Sequence, residues 1–361
     1  MHEQGERKRA MYLELLATGM KRADILAAVG WQVGTADMHR KRHVQWAQAC
    51  DLARIEGRKV RQDMAELHPS QLSFAEWTDR YLRMQNLSHH LRIAGELDAC
   101  RPGETVMVNL WPGAGKSTAL LNWVTRTLCV DPNHRVGIVS ESSGLSRKFL
   151  GRVARRFEDS TRFAAMHAQY GPFYEPKQER SGKPWSQDQF RVIKADHDEA
   201  DYSMMAFAWN SRGYGARLDT LIVDDVQSQA TLGVTESVYD TLSSTWFSRD
   251  SFGSAMRIVI VGTRLAPHDI YGKLLDEEMV DRHVILPAVT ADGTPSVPEW
   301  WTMRSEKTGR TVDEEIARVK KRAGKHWYAQ YQQRPRADEL STFASYLEGS
   351  LDRERVIARV A

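Results

Sequence analysis

The chain has 361 residues, of which 42% are hydrophobic and 27% are charged, and its formal net charge is +3. This composition excludes a disordered or fibrous protein, and the length favours roughly two or three domains. The apolar runs are too short to span a bilayer, the first residues lack a signal-peptide pattern, and the three cysteines form no CxxC pair. We therefore expect a cytoplasmic protein without a disulfide framework that does not bind membranes.

The first part of the chain is basic and helical. Residues 1–62 hold 12 Lys and Arg against 7 Asp and Glu, with clusters at 7–9 and 40–43. A short helix that ends at Gly30 precedes a basic helix with Thr35 as its expected N-cap, which is the pattern of a helix-turn-helix DNA reader. A plain three-helix bundle with a basic solvated face fits the same residues. We predict a small helical domain over 1–66 that binds DNA or a partner.

The remainder of the chain alternates between strands and helices. Ser73 and Glu76 form a candidate capping box in a helical block before residue 100. The predicted strands are 105–110, 135–140, 190–194, 220–224, 257–262 and 283–287. Near-continuous Val and Ile runs separated by helix-length segments predict a mainly parallel sheet flanked by helices, an α/β fold. We place this domain at 67–295, followed by a C-terminal helical segment, 296–361, with helical stretches at 311–333 and 351–360.

A phosphate-binding loop is predicted where the first apolar strand ends. Gly115-Lys116-Ser117 follows that strand and opens a helix, so backbone N–H groups and the helix N-terminus can cradle a phosphate. The Walker A pattern has a further Gly five positions before Gly115, where this chain has Leu110. That Gly eases the turn out of the strand, so its loss removes no contacting group. The predicted nucleotide-binding residues are Pro112, Gly113, Ala114, Gly115, Lys116, Ser117 and Thr118.

A pair of carboxylates ends a second apolar strand. Asp224 and Asp225 follow the strand over 220–224, as in the Walker B pattern. A carboxylate at a strand tip beside the loop completes a Mg²⁺ site, with Ser117 as the direct protein ligand and Asp224 acting through water. Asp225 is the candidate for orienting and deprotonating the attacking water. Both motifs on their proper elements therefore predict a P-loop NTPase.

Several separated motifs resemble the ATPase part of phage terminase large subunits. The resemblance extends over about residues 70–340 and consists of "RMQNLSHHLRIAGEL", the irregular Walker A, "NSRGYGARLDTLIVDD", "IVIVGTRLAPHDIYGKLL" and "HWYAQYQQRPRA". It implies a P-loop NTPase of the ASCE type with ATP and Mg²⁺ as cofactors.

The resemblance also implies roles for single residues. Lys116 would contact the β- and γ-phosphates, Asp225 would take the catalytic carboxylate position, and Thr263 would sense the γ-phosphate. Relatives often have Glu where this chain has Asp225, so Glu141 is the alternative carboxylate. Arg212 matches the arginine that a neighbouring subunit inserts, and the competing candidates are Arg217 and Arg264. His90 lies in the segment similar to the adenine-side helix, although a partly buried helical His needs no ligand.

The implied function is a motor that packages double-stranded DNA into a procapsid in the host cytoplasm. Its implied partners are the DNA, the portal protein, the terminase small subunit and further copies in a ring, expected to be a pentamer. After Pro335 only 26 residues follow, too few for the family's nuclease domain, so we expect no DNA cleavage by this chain and a separate nuclease as a possible partner. The alternatives are a helicase or transposition-helper ATPase, and a DNA-site recogniser regulated by nucleotide.

Two further features allow more than one interpretation. The basic amphipathic helix expected at 146–157 suits either DNA-backbone contact or a solvated face, and the latter is favoured. Trp300, Trp301 and Trp327 are more readily core or subunit contacts than a base-stacking platform, because basic residues do not interleave them closely.

Overall fold

The computed structural model describes residues 2–17, 22–66, 71–173, 185–193, 201–211, 216–250 and 255–336. Contacts divide the chain into two units, residues 1–72 and 73–361, which are treated separately below. None of the helices in these ranges is long and apolar enough to cross a membrane. The predicted helix at 351–360 lies outside the described residues.

The first unit is a small bundle of helices. Its helices are α1 (His2–Ala17), α2 (Arg22–Val29), α3 (Val33–Arg42) and α4 (Val44–Glu66). An apolar core with Tyr12, Ile25 and Trp46 holds them together. The prediction that Thr35 is an N-cap is wrong, because α3 already begins at Val33 after an extended Gln32. The basic stretch is also divided: α3 ends at Arg42, and a new helix starts at Val44.

Two helices precede the sheet of the second unit. They are α5 (Phe74–Leu82) and α6 (Ser88–Ala99). The predicted capping box is confirmed: the Ser73 hydroxyl accepts from the Glu76 N–H, and the Glu76 carboxylate accepts from the Ser73 N–H. Both orphan donors at the start of α5 are thereby satisfied by local side chains.

A seven-stranded, mostly parallel sheet forms the centre of the second unit. Its strands are β1 (Thr105–Leu110), β2 (Val136–Ser140), β3 (Gln189–Phe190), β4 (Met204–Ala208), β5 (Thr220–Asp224), β6 (Arg257–Gly262) and β7 (Arg282–Leu286), in the spatial order β3-β4-β2-β5-β6-β1-β7. Only β3 is antiparallel to its neighbour among these strands. Every residue of β1, β2 and β5 is buried, as expected for parallel strands covered on both faces.

The predicted strands agree with the observed ones except in one region. The strand predicted at 190–194 is wrong, because pairing there is limited to Gln189 and Phe190 and residues 191–193 are not in a strand. The sequence pattern also missed β4, which pairs with β2 over its whole length. The other five predicted strands lie within a residue or so of the observed ones.

Helices connect the strands and follow the sheet. They are α7 (Lys116–Val130), α8 (Ser143–Glu158), α9 (Ala164–Tyr170), α10 (Thr235–Thr241), α11 (Ile270–Asp276), α12 (Pro298–Thr308) and α13 (Val312–Ala323). The chain after α13 continues in a 3₁₀ turn, Gly324–His326, and a π turn, Trp327–Tyr331. Trp301 and Trp327 are buried, as expected for core residues.

The glycine that ends β6 is required by a tyrosine on α11. A Cβ atom at position 262 would overlap the hydroxyl and the Cζ atom of Tyr271, a fully buried residue. Because the interior is close-packed, neither residue can move without displacing the ends of the central strands.

We expect Gly262→Ala to lower the free energy of unfolding by about 1–3 kcal/mol, the usual cost of overpacking a core. Gly151→Ala is the matched control, because a Cβ there meets no atom within 4 Å and lies in α8. That change should be neutral or stabilise by up to about 1 kcal/mol. Denaturant titration measures both, and a Gly262→Ala protein as stable as wild type would contradict the prediction.

Candidate functional site

The segment between β1 and α7 forms a tight loop at the carboxyl end of the sheet. Gly113 and Gly115 have φ angles of 80° and 87°, a left-handed conformation that glycine adopts without strain. Gly115 is the N-cap residue of α7 and has no side chain to cap the helix. The first N–H groups of α7 therefore remain for another acceptor, and an anion suits them best.

Two side chains from other segments bind the carbonyls of Gly113 and Ala114 in this loop. The Ala114 carbonyl is 2.5 Å from His89 Nε2, and the Trp300 indole N–H donates to the Gly113 carbonyl at 3.3 Å. Because a carbonyl only accepts, His89 must carry its proton on Nε2. Because both carbonyls are bound by side chains, the loop is preorganised before any ligand arrives.

His90 packs directly against the glycine at the start of α7. A Cβ on Gly115 would lie 2.7 Å from His90 Nε2. The Leu87 N–H donates to His90 Nδ1 at 3.3 Å, and burial lowers the pKa of His90 to about 4, so the ring is neutral with its proton on Nε2. Nε2 makes no hydrogen bond of good geometry within the described part of the chain, although the nearby Ala114 carbonyl partly offsets the effect of burial on the pKa. His90 is thus a neutral donor beside the loop, which leaves its predicted contact with adenine untested.

Lys116 links the loop to two other strand ends. Its Nζ lies 2.8 Å from Asp225 Oδ1 and donates to Thr263 Oγ1, also at 2.8 Å. The Thr263 hydroxyl in turn donates to the Leu110 carbonyl at 2.9 Å. The ends of β1, β5 and β6 are therefore connected through one ammonium group, and Leu110 takes part through its backbone alone.

Asp224 is a buried carboxyl at the tip of β5. Burial and the neighbouring charge of Asp225 raise its pKa to about 7, while the charge of Lys116 and a hydrogen bond from Ser117 act in the opposite direction. Its Oδ1 atom is buried without a hydrogen-bond partner among the described residues. A buried, unpartnered carboxylate oxygen close to a Ser hydroxyl fits an oxygen-ligated cation such as Mg²⁺, with Ser117 and Asp224 as its protein contacts.

Asp225 has an unusual backbone. Its φ angle is +44°, and its N–H donates to the Val261 carbonyl at 3.0 Å. Among residues other than glycine, Asp and Asn tolerate this left-handed conformation best. Asp225 is half-exposed, with 44% of its side chain accessible, whereas its neighbour Asp224 is buried. The two carboxyls thus differ in access to solvent although they are adjacent.

Glu141 directly follows β2, the neighbour of β5 in the sheet, and has its own partners. Its N–H donates to the Asp225 carbonyl at 3.3 Å. Its Oε1 accepts from the Ser228 hydroxyl at 2.5 Å and from the Thr231 hydroxyl at 3.0 Å. The carboxylate therefore holds the segment that follows the β5 tip, a geometry that suits a structural role better than proton transfer.

The three candidate arginines differ in exposure and in hydrogen-bond partners where the structure describes them. Arg212 lies outside the described residues. Arg217 is exposed and donates to the Asp250 carbonyl at 3.1 Å. Arg264 is 11% exposed, and its Nε lies 3.0 Å from Asp269 Oδ1. A guanidinium held in this way by a carboxylate of its own chain is poorly placed to enter a neighbour's site, so Arg264 is the weakest candidate of the three.

The remaining predicted residues surround this cluster. Pro112 is exposed at the outside of the loop, and the Thr118 N–H donates to the Gly115 carbonyl at 2.8 Å in the first turn of α7. Sequence reasoning missed Trp300 as a loop contact, because its distance along the chain from Gly113 leaves no local signal. Arg156, in the basic helix, is buried and donates to the Leu121 carbonyl and to Asn122 Oδ1. That part of the helix therefore faces the core rather than solvent.

The raised pKa of Asp224 predicts a pH dependence of stability. Between about pH 4 and pH 7 the folded protein keeps a proton on Asp224 that the unfolded chain has lost, so this carboxyl reduces stability as the pH rises through that window. Asn at position 224 cannot ionise. We expect the Asp224→Asn protein without nucleotide to gain melting temperature relative to wild type as the pH rises from 5 to about 8.

Asp219→Asn is the control for this measurement. Although burial acts in the opposite direction, hydrogen bonds and the charge of Arg135 lower the pKa of Asp219. The stabilising contribution of Asp219 is lost only as the pH falls below its ordinary value of 3.8, so the effect of Asp219→Asn should be constant over the same window. An equally constant difference for Asp224→Asn would contradict the prediction.

Solved structures similar to this chain include two of the large terminase ATPase domain of Thermus phage P74-26. A single-site mutant of that domain has a TM-score of 0.40 and 13% identity, and the match covers 75% of this chain and 100% of that chain. A second structure of the domain has a TM-score of 0.36 and 14% identity, covering 74% and 99%. At such low TM-scores neither likeness supports a conclusion by itself. No protein-family model and no curated protein matches the chain.

Proposed function

We propose that the chain is a Mg²⁺-dependent ATP hydrolase of the ASCE P-loop type. The observation that carries the proposal is the meeting of Lys116, Thr263 and Asp225 at the N-terminus of α7. A preformed loop, a lysine, a polar strand end and a carboxyl pair are what phosphate binding and hydrolysis need in one place. The position of β6 between β1 and β5 supports the ASCE assignment.

Phosphate binding falls to residues 112–118. The N–H groups of Lys116 and Ser117 and of the loop glycines would donate to phosphate oxygens, whereas those of Ala114 and Thr118 donate to backbone carbonyls in the observed state. In the observed state the Lys116 ammonium is paired with Asp225. A bound γ-phosphate would compete for that ammonium, and Asp225 would then lose its ion-pair partner. Mg²⁺, held by Ser117 and Asp224, would neutralise phosphate charge when bound.

Proton transfer and sensing fall to residues at the ends of β5 and β6. Asp225, once released from Lys116 and half-open to solvent, would accept a proton from the attacking water. Thr263 would respond to the displacement of Lys116, because its hydroxyl now accepts from that ammonium. Arg212 of a neighbouring subunit would stabilise transition-state charge.

We further propose that hydrolysis drives translocation of double-stranded DNA as the ATPase of a phage terminase large subunit. This places it in the host cytoplasm in a ring, expected to be a pentamer on the portal protein, with the small subunit and a separate nuclease as further partners. The motifs between residues 70 and 340 support this assignment. A DNA-contacting role for 1–66 is supported by Lys41 and Arg42, which are exposed at the end of α3.

We expect Lys116→Ala to reduce ATP hydrolysis by at least about 10²-fold, because the ammonium that meets the phosphates is lost. Lys320→Ala, which removes an exposed lysine of α13, is the matched control and should hydrolyse ATP normally. Phosphate release is measured with and without linear double-stranded DNA, which should stimulate the wild-type rate. Hydrolysis undiminished in Lys116→Ala would rule out the proposed site.

The same assay separates the alternatives. Unwinding of a forked duplex would favour a helicase instead of a packaging motor. Tight ATP binding without phosphate release in a single turnover would favour a DNA-site recogniser that nucleotide regulates.

Asp225 and Glu141 are distinguished by amide substitutions. Asp225→Asn keeps a residue that tolerates the left-handed backbone; it removes the proposed proton acceptor and also the charge that pairs with Lys116 in the observed state. We expect its kcat to fall by about 10²-fold or more with little change in ATP affinity. Glu141→Gln, which retains an oxygen for Ser228 and Thr231, should lower kcat by less than about 5-fold. The reverse order in steady-state kinetics would make Glu141 the base.

A further inference from the structure

The turn that follows Thr263 is held by a side chain from the far C-terminal part of the second unit. The Arg264 N–H donates to Gln333 Oε1 at 2.9 Å, and Gln333 is only 2% exposed. The next two amides, of Leu265 and Ala266, donate to Asp269 at 2.6 Å and 3.2 Å. Three successive N–H groups after Thr263 are thus bound by side chains, and only Asp269 belongs to the adjoining segment.

Gln333 is itself tightly fixed. Its φ angle is +54°, a conformation that residues other than Gly, Asn and Asp rarely adopt. Its amide nitrogen donates to the Gln330 carbonyl, which orients the side-chain oxygen toward Arg264. The preceding turn is anchored where the Ala288 N–H donates to the Tyr331 carbonyl at 2.7 Å. A strained backbone persists where the surrounding contacts over-determine it, and such sites are often functional.

We propose that Gln333 is a positioning residue for Thr263 and so for the Lys116 ammonium. This inference rests on the proposed function. The hydrogen bonds of the Gln333 side chain go to Arg264 and Gln330 and not to Lys116 or Thr263. Gln333 fixes the backbone one residue beyond Thr263, whose hydroxyl lies 2.8 Å from Lys116 Nζ. Misplacement of a reacting group by a fraction of an ångström lowers the rate of the chemical step more than it lowers ground-state binding. The C-terminal helical segment is thereby part of the sensing apparatus.

Substitutions at two adjacent glutamines test the proposal. Gln333→Met keeps the side-chain length and loses the acceptor, whereas Gln333→Glu keeps an acceptor for the Arg264 N–H. Gln333→Gly removes the contact and also the backbone strain. Gln332→Met is the matched control at the neighbouring position, where the described contacts include only a backbone hydrogen bond, to Trp327.

We expect kcat for ATP to fall about 10-fold in Gln333→Met and Gln333→Gly, with KM changed by less than about 2-fold. Gln333→Glu keeps the acceptor but loses the donor to the Gln330 carbonyl, so its kcat should lie between those of Gln333→Met and wild type, and Gln332→Met should match wild type. Amide hydrogen exchange of the peptide that contains Arg264 should be about 5-fold faster in Gln333→Met, because the bond that protects this N–H is lost.

Each result decides the proposal. A Gln333→Gly protein with wild-type kcat would show that the contact is dispensable, and a parallel loss of kcat, ATP affinity and melting temperature would mark a merely structural residue. Either overturns it. A wild-type protein that does not hydrolyse ATP would count against the proposed function instead. In that case amide hydrogen exchange alone tests the positioning of the turn. Faster exchange of the Arg264 amide in Gln333→Met, but not in Gln332→Met, supports the proposal, and an unchanged exchange rate overturns it.

Discussion

The contact on which the site depends is the Lys116 ammonium between Asp225 and Thr263. It joins elements that the chain brings together only by folding, since β1, β5 and β6 are separated by long connections. The lysine is largely buried, with 11% of its side chain exposed, so its charge requires a partner. Under the proposed function the partner changes from a carboxylate to a phosphate. Phosphate binding would thus free the Asp225 carboxylate and change the contact of Thr263 with Lys116 in the same step, without any large movement of the backbone.

The adjacent carboxyls add a second constraint. Asp224 is buried and resists ionisation, partly because Asp225 already carries charge beside it. A cation beside this pair would stabilise the ionised form of Asp224, and the Asp224 Oδ1 atom, which has no hydrogen-bond partner among the described residues, has lone pairs to donate to Mg²⁺. The left-handed backbone at residue 225 favours Asp over Glu, because a longer side chain gains reach but loses the local tolerance for positive φ.

The elements nearest the site were the most predictable. β1, β5 and β6 are short apolar runs, and apart from the first two residues of β6 every residue in them is buried, which leaves little ambiguity. The capping box at Ser73 depends on neighbours alone. β4 escaped prediction because its sequence, MMAFA, has low strand propensity and forms a strand only by pairing with β2. His89 and Trp300 could not be assigned as loop contacts, since hydrogen bonds to backbone carbonyls leave no pattern in sequence.

His89 and Trp300 also support the irregular phosphate-binding loop. The chain lacks the first consensus glycine, which eases the turn out of the strand, and has Leu110 in its place. His89 and Trp300 supply that support from outside by binding the carbonyls of Ala114 and Gly113. Trp300 lies in α12, and Gln333, which holds the turn after Thr263, lies just beyond the π turn that follows α13. The C-terminal segment predicted from the sequence therefore contacts both the phosphate-binding loop, through Trp300, and the turn after Thr263, through Gln333.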